Sequence, residues 1–251
     1  MSVPELFADL VHHLADRLEP LAGGWATAAA IVLFTALVRL LVHPLSRAAA
    51  RGQRARAALA PRIAALRTRH RRDPDRLRRA LTELHAETKV SPLAGCLPSL
   101  LQAPAFFLLY HVFSSSRIDG EPNALLGQQL GAAPLGGRWT DALAHGGPFG
   151  AAGTVYLVLF LVVAVVATLG YRLTKAQLAA NPLPATAPDG GPLPGAAAIT
   201  RMMPMVSFLT LATAAAVPLA AALYVVTSAA WTVAERALLY RPPAGAPTTG
   251  R

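Results

Sequence analysis

Arg39 is the residue whose placement asks for chemistry. It is the one arginine in the stretch Trp25–Leu45, WATAAAIVLFTALVRLLVHPL, which is otherwise almost entirely apolar. As a helix rising ~1.5 Å per residue, this stretch reaches about 30 Å, the thickness of a bilayer core, with Arg39 about 20 Å from one end and about 9 Å from the other. A guanidinium deep in a membrane helix costs about 2.5–3.5 kcal/mol on insertion scales. It must therefore reach headgroups, meet an anion or line a water-filled cavity. Thr35 lies one turn earlier on the same helix face, which sets a hydroxyl beside the guanidinium. On the residues alone two readings stand open: a long side chain snorkelling to the cytoplasmic headgroups, or a wetted site.

The other apolar stretches also carry hydrogen-bonding side chains, among them Ser99, Gln102, Thr168, Ser207, Thr210, Thr227, Ser228 and Thr232. Singly, each reads as glue between packed membrane helices. Jointly with Arg39, they are candidates to line one polar face. The sequence contains no G-x-x-x-x-G-K-[ST], H-E-x-x-H or G-x-S-x-G motif. Its seven histidines do not fall at ligand spacing, and its single cysteine, Cys96, excludes an intramolecular disulfide and reads as a small packing residue. Leu93-Ala94-Gly95-Cys96 spells a lipobox, but deep in the chain and after a charged segment. Neither a catalytic residue, a cofactor nor a metal site is expected, and the chain does not read as an enzyme.

The elements that must position Arg39 follow from hydropathy. Hydrophobic residues make up 54% of the 251-residue chain and charged ones 14%, against about 45–50% and about 25% in soluble domains. The fold class predicted is an all-α membrane protein with five transmembrane helices, an N-terminal amphipathic helix and a cytoplasmic helical hairpin between the first two spans. Residues 1–24 place Leu6, Phe7, Leu10, Val11, Leu14 and Leu18 at helical spacing, giving either an extracytoplasmic amphipathic helix on the membrane surface or a partly ordered leader. The segment carries four acids against one arginine, unlike a cleavable signal, and is expected to be retained. Residues 25–46 form the first span.

Residues 47–90 follow as the hairpin. Between Arg47 and Lys89 stand thirteen basic and four acidic side chains, much of the net charge of +10. Leu59, Ile63 and Leu66 form one narrow stripe and Leu77, Leu81 and Leu84 another. Asp73-Pro74 between them supplies an N-cap followed by proline at the first helical position. The outward arginines are either a solvated face or a contact for anionic lipid headgroups or RNA. Under the positive-inside rule they keep this side cytoplasmic.

Residues 91–113 are the second span, interrupted by Pro98 and Pro104, and 114–151 a Gly/Pro-rich extracytoplasmic loop. Residues 152–171 are the third span and 172–200 a cytoplasmic linker rich in proline and glycine. Met202–Leu239 is nearly twice too long for one crossing, and Pro218 near its middle divides it into a fourth span, 201–217, and a fifth, 218–240. A short cytoplasmic tail, 241–251, ends the chain. An odd number of spans puts the N-terminus outside and the C-terminus in the cytoplasm.

The arrangement of an arginine-bearing span, a basic hairpin and a proline-rich second span has a specific likeness. VRLLVHPL, ALAPRIAALR, DPDRL and VSPLAGCLPSLLQAPAFFLLYHVF, with the distal RMMPMVSF and AVPLAAALYVVTSAAWTVAER, resemble the YidC/Oxa/Alb family of membrane protein insertases. The resemblance runs from about Trp25 to Tyr240. It implies a bundle enclosing a hydrophilic groove, open to the cytoplasm and sideways to lipid. In that groove Arg39 and Thr35 match the residues that attract the polar tails of incoming membrane proteins. Tyr224 matches a tyrosine beside the path by which substrate helices leave between spans three and five. Ser99, Gln102 and Ser228 are assigned to the same groove.

The function this implies is a Sec-independent insertase and chaperone in the bacterial plasma membrane, working as a monomer. Its partners would be nascent membrane proteins, the Sec translocon, the ribosome and anionic lipids at the hairpin. The Ala/Thr-rich fourth span, TLATAAAV, and AVPLAAAL in place of bulkier residues depart from the family pattern and suit a specialised paralogue. Rival readings are an anion or small-solute transporter, disfavoured by the lack of a repeated half, and a non-catalytic scaffold binding lipid or RNA through the hairpin.

Overall fold

The computed structural model describes residues 3–70, 73–88, 107, 110–118, 120–180 and 196–239. Among these the chain is mostly helical, and two helical stretches, Leu6–Ala55 and Ala151–Ala179, are long and apolar enough to cross a membrane. Ser99, Gln102, Cys96 and both prolines of the second span lie outside the described residues, as do 181–195 of the linker and the tail from 240.

Helix α1, Val3–Ala22, turns at Gly23–Trp25 and folds back on helix α2, Ala26–Arg69. Val11 and Ala15 are buried there, and Phe7 meets Phe34 edge-on at 5.6 Å. The apolar residues of α1 are thus divided: Phe7, Val11, Leu14 and Leu18 turn to protein, while Leu6 and Leu10 stay exposed.

At 44 residues α2 is far longer than the span read from its sequence. It reaches about 66 Å, roughly twice the bilayer core, so a large part of it must stand out in water. Pro44 and Pro61 lie inside it without ending it. Each withholds one N–H from the ladder, from the carbonyls of Leu40 and Ala57. The change from apolar to basic composition near residue 46 leaves the backbone unbroken. Helix α3, Pro74–Thr88, contacts the distal part of α2, and Leu59, Leu77 and Leu84 are buried. Asp73 caps α3 by accepting the Arg76 N–H at 3.0 Å.

The segment read as a Gly/Pro-rich loop is a folded cap. Residues 110–114 are helical. Two minimal antiparallel hairpins follow: β1 (Arg117–Ile118) with β2 (Glu121–Pro122), and β3 (Gln129–Leu130) with β4 (Ala133–Pro134). A single helical turn, α4 (Ala124–Gly127), stands between them, and α5 (Trp139–Gly146) comes after. Leu125, Ala133 and Leu135 are buried. Asn123 holds the corner: its Nδ2 donates to the Val112 and Ser115 carbonyls (2.7 and 3.0 Å), and its Oδ1 accepts the Leu125 N–H (3.2 Å).

Helix α6, Ala151–Ala180, carries one packed stripe, Tyr156, Leu159, Val163, Ala167, Gly170 and Thr174. Its opposite side exposes Val158, Leu161, Val162, Val165 and Leu169. A helix apolar all round is stable only where its outer face meets lipid or more protein. Trp139 anchors α5 to α6 through Tyr156 and Phe160, with ring centroids 5.8 and 5.2 Å away. Helix α7 (Ala196–Met202), a 3₁₀ stretch (Met203–Phe208) and α8 (Leu209–Ala216) make one composite helical segment. It ends at Val217–Pro218, after which α9 runs from Leu219 to Leu239.

The first N–H groups of a helix lack intrahelical acceptors. Here the cap supplies them: Leu219 N–H donates to the Gly137 carbonyl and Ala220 N–H to that of Leu135, both at 2.9 Å. The Tyr156 hydroxyl donates to the same Gly137 carbonyl at 2.7 Å. One loop carbonyl thereby ties α6 and α9 to the cap.

Candidate functional site

Four of the polar side chains singled out in the sequence, Thr35, Arg39, Tyr224 and Ser228, lie along the seam between α2 and α9, whereas Thr168, Thr210, Thr227 and Thr232 donate to carbonyls three or four residues earlier in their own segments. On α2, Thr35, Arg39 and His43 follow at four-residue steps. On α9, Tyr224, Ser228, Trp231 and Glu235 follow at steps of four, three and four, which keeps all four within a narrow arc of the helix. The two helices pack together, with His43 joined to Glu235 and Arg39 in electrostatic reach of both Tyr224 and Glu235.

Thr35 is 1% exposed, and its hydroxyl donates to the Ile31 carbonyl at 2.7 Å. Its proton is spent inside its own helix, so what it offers the seam is a lone pair and a small polar surface. Arg39, one turn on, is only partly exposed, and among the described residues no hydrogen bond or ion pair closes on its guanidinium. Tyr224 is 2% exposed and packs against Phe113, centroid to centroid 6.0 Å.

Ser228 is 5% exposed, and among the described residues its Oγ closes no hydrogen bond of normal geometry. The Tyr224 hydroxyl, one turn earlier on the same arc, lies in interaction range of it. Among the described residues the Trp231 Nε1–H, on the same arc, is likewise buried without a partner. A buried donor without an acceptor costs about 1–3 kcal/mol, so two on one face mark a place built for an acceptor from elsewhere.

Toward its end the seam is tied on three sides. The His43 Nδ1–H donates to Glu235 Oε1 at 2.6 Å, joining α2 to α9 across 192 residues of sequence. The next residue, Arg236, turns the other way and donates to Gln177 Oε1 at 2.7 Å and Thr174 Oγ1 at 3.4 Å on α6. Arg54, in the basic part of α2, donates to the Leu239 carbonyl in the last turn of α9, where cations complement the helix dipole.

The structure therefore brings together four residues the sequence singles out, Arg39, Thr35, Tyr224 and Ser228. Gln102 and Ser99 lie outside the described residues. Sequence reasoning missed Trp231, Glu235 and the partner role of His43. The signal was available: His43 continues the Thr35–Arg39 step by one more turn, and Glu235 and Trp231 share an arc with Tyr224. Among the described residues no three His, Cys, Asp or Glu side chains gather as a metal site.

A family model described as 60Kd inner membrane protein matches residues 18–244. The chain belongs to this family, the YidC/Oxa/Alb insertases. Two relatives, both named membrane protein insertase YidC, are similar at 36% identity. The one from Ralstonia nicotianae matches over 136 residues, 54% of this chain and 22% of its own length. The one from Francisella tularensis matches over 110 residues, 44% of this chain and 20% of its own. The match thus spans about a fifth of the length of these relatives. Membership places the α2–α9 seam in a protein of the membrane, where an arginine without a carboxylate partner is costly unless used.

Proposed function

We propose that this chain is a membrane protein insertase in which the α2–α9 seam forms one wall of a hydrophilic groove open to the cytoplasm. The observation that carries the reading is the partly buried Arg39 guanidinium, on which no ion pair closes among the described residues, in a seam that also carries two buried side-chain donors with no partner among them, Ser228 Oγ and Trp231 Nε1. Such a surface suits a guest rich in acceptors: the carboxylates and backbone carbonyls of a short polypeptide tail. Arg39 attracts the tail, and Thr35, Tyr224, Ser228, Ser99 and Gln102 replace part of its hydration. Once the tail has crossed, its apolar helix leaves for lipid by the hydrophobic effect, with no nucleotide hydrolysed.

This reading keeps five spans, N-terminus outside and C-terminus in the cytoplasm. The hairpin 47–90 stands in the cytoplasm against anionic lipid, and the cap 114–151 closes the outer end. Of the polar residues of α9, Tyr224, Ser228 and Glu235 face the seam in this reading, and Arg236 faces α6. The Sec translocon and the ribosome are partners in this reading, and the working unit is a monomer.

The test is complementation of a bacterium depleted of its own insertase, with a photo-crosslinking amino acid placed in turn at positions 39, 224 and 228 and, as controls, at the outward Leu41 and Leu161. Stalled nascent chains with acidic tails should crosslink at the first three and not at the controls. Growth without any crosslink at the seam would place the substrate path elsewhere.

A further inference from the structure

We infer that His43 is a positioning residue that holds the Glu235 carboxylate away from Arg39, and so keeps the guanidinium available to acidic substrate tails. The inference rests on the insertase reading above and assigns a role within its groove.

Glu235 is the carboxylate of the seam and only 12% of its side chain is exposed. A charge so far out of water requires a partner. Two donor side chains are offered by α2. The His43 imidazole is bonded to it at 2.6 Å, while Arg39, one turn away, senses it without closing a bond. On chemistry alone the order should be reversed, because a guanidinium meets a carboxylate with two parallel N–H donors and an imidazole with one.

The geometry explains the inversion. Arg236 is anchored to Gln177 and Thr174 on α6, and Arg54 holds the Leu239 carbonyl, so the last turns of α9 are fixed from both sides of Glu235. From that fixed backbone the carboxylate falls onto His43. A neutral imidazole suffices, since Nδ1–H is the donor. The cost of a resident carboxylate is thereby met without using Arg39, and an arriving Asp or Glu does not have to displace one.

Removing the imidazole should let Glu235 turn toward Arg39, about one helical turn or ~6 Å along α2. The guanidinium would then be occupied, and substrates with acidic tails would compete for it. Substrates with uncharged tails would notice little.

The experiment uses the full chain in proteoliposomes, with two versions of one small substrate whose translocated tail carries either Asp or Asn. His43→Phe, which keeps ring volume but has no donor, should lower insertion of the Asp version by about two- to fivefold, the factor a competing ion pair of up to about 1 kcal/mol imposes. The Asn version should be inserted at the original rate. His43→Gln, whose amide can still donate, should retain insertion of the Asp version, and His43→Phe with Glu235→Gln should recover it.

A second readout does not depend on transport. A double-mutant cycle between Arg39→Gln and Glu235→Gln, read by thermal unfolding, should show little coupling with His43 present and clear coupling once it is Phe. If Arg39→Ala abolishes insertion of the Asp version while His43→Phe changes neither insertion nor the cycle, this inference fails and the groove stands. If Arg39→Ala leaves the Asp version fully inserted, the groove reading fails and takes the inference with it.

Discussion

Asn123 offers a stability test whose sign runs against a general rule. As the N-cap of α4 it accepts the Leu125 N–H, and Asp and Asn normally serve about equally well in that role. Here the amide nitrogen also donates twice, to Val112 and Ser115 carbonyls, in a side chain 8% exposed. Asn123→Ala removes three bonds and leaves two carbonyls and one N–H with no partner. At about 0.5–1.5 kcal/mol per bond, with part of the desolvation cost of the groups left behind, the loss should be roughly 2–4 kcal/mol.

Asn123→Asp keeps the cap bond but turns both donors into lone pairs facing carbonyl oxygens. It should therefore be at least as damaging as alanine at neutral pH. For a chain of this size the melting temperature should fall by roughly 4–16 °C, at about 2–4 °C per kcal/mol. Protonating the new carboxyl returns one donor, so the deficit of Asn123→Asp relative to Asn123→Ala should shrink as the pH falls toward about 4. The assay is thermal unfolding in a mild detergent, followed by tryptophan fluorescence at pH 7 and pH 4. An Asn123→Asp protein that melts with the original at neutral pH would refute the bonding assigned to this corner.

Three further outcomes follow from single contacts. Tyr156→Phe should cost only about 1 kcal/mol in the same unfolding assay, because the Gly137 carbonyl keeps the Leu219 N–H. Gly153→Ala should cost more, about 1–3 kcal/mol, since a Cβ there would sit 2.3 Å from the Gly147 carbonyl oxygen, and a backbone atom cannot step aside as a side chain can. Arg236→Ala should loosen the contact between α6 and α9 and cost about 1–3 kcal/mol in the same unfolding assay, because the Gln177 and Thr174 oxygens lose their donor.

Arg39 was legible in the sequence because one guanidinium among some twenty apolar residues has few inexpensive environments, and Thr35 because a four-residue step on a helix fixes a shared face. The apolar run within α6 was legible from composition, but not which of its faces packs. Other features carry no such local mark. The cap is built from strands two residues long, too short to show alternation, and its order comes from Asn123 and from carbonyls given to another helix. The bond between His43 and Glu235 joins residues 192 apart, and nothing near either one announces the other. The unbroken course of α2 was hidden by two prolines and an abrupt change of charge, neither of which determines where the helix stops.

The central claim is that the charge on Arg39 receives the charge of the substrate tail. Reversing both tests it most directly: Arg39→Glu, assayed in proteoliposomes with a substrate whose translocated tail carries either Asp or Lys. Insertion of the Asp version should collapse and that of the Lys version should rise above its level with the original protein. Unchanged insertion of both versions by Arg39→Glu would contradict the account.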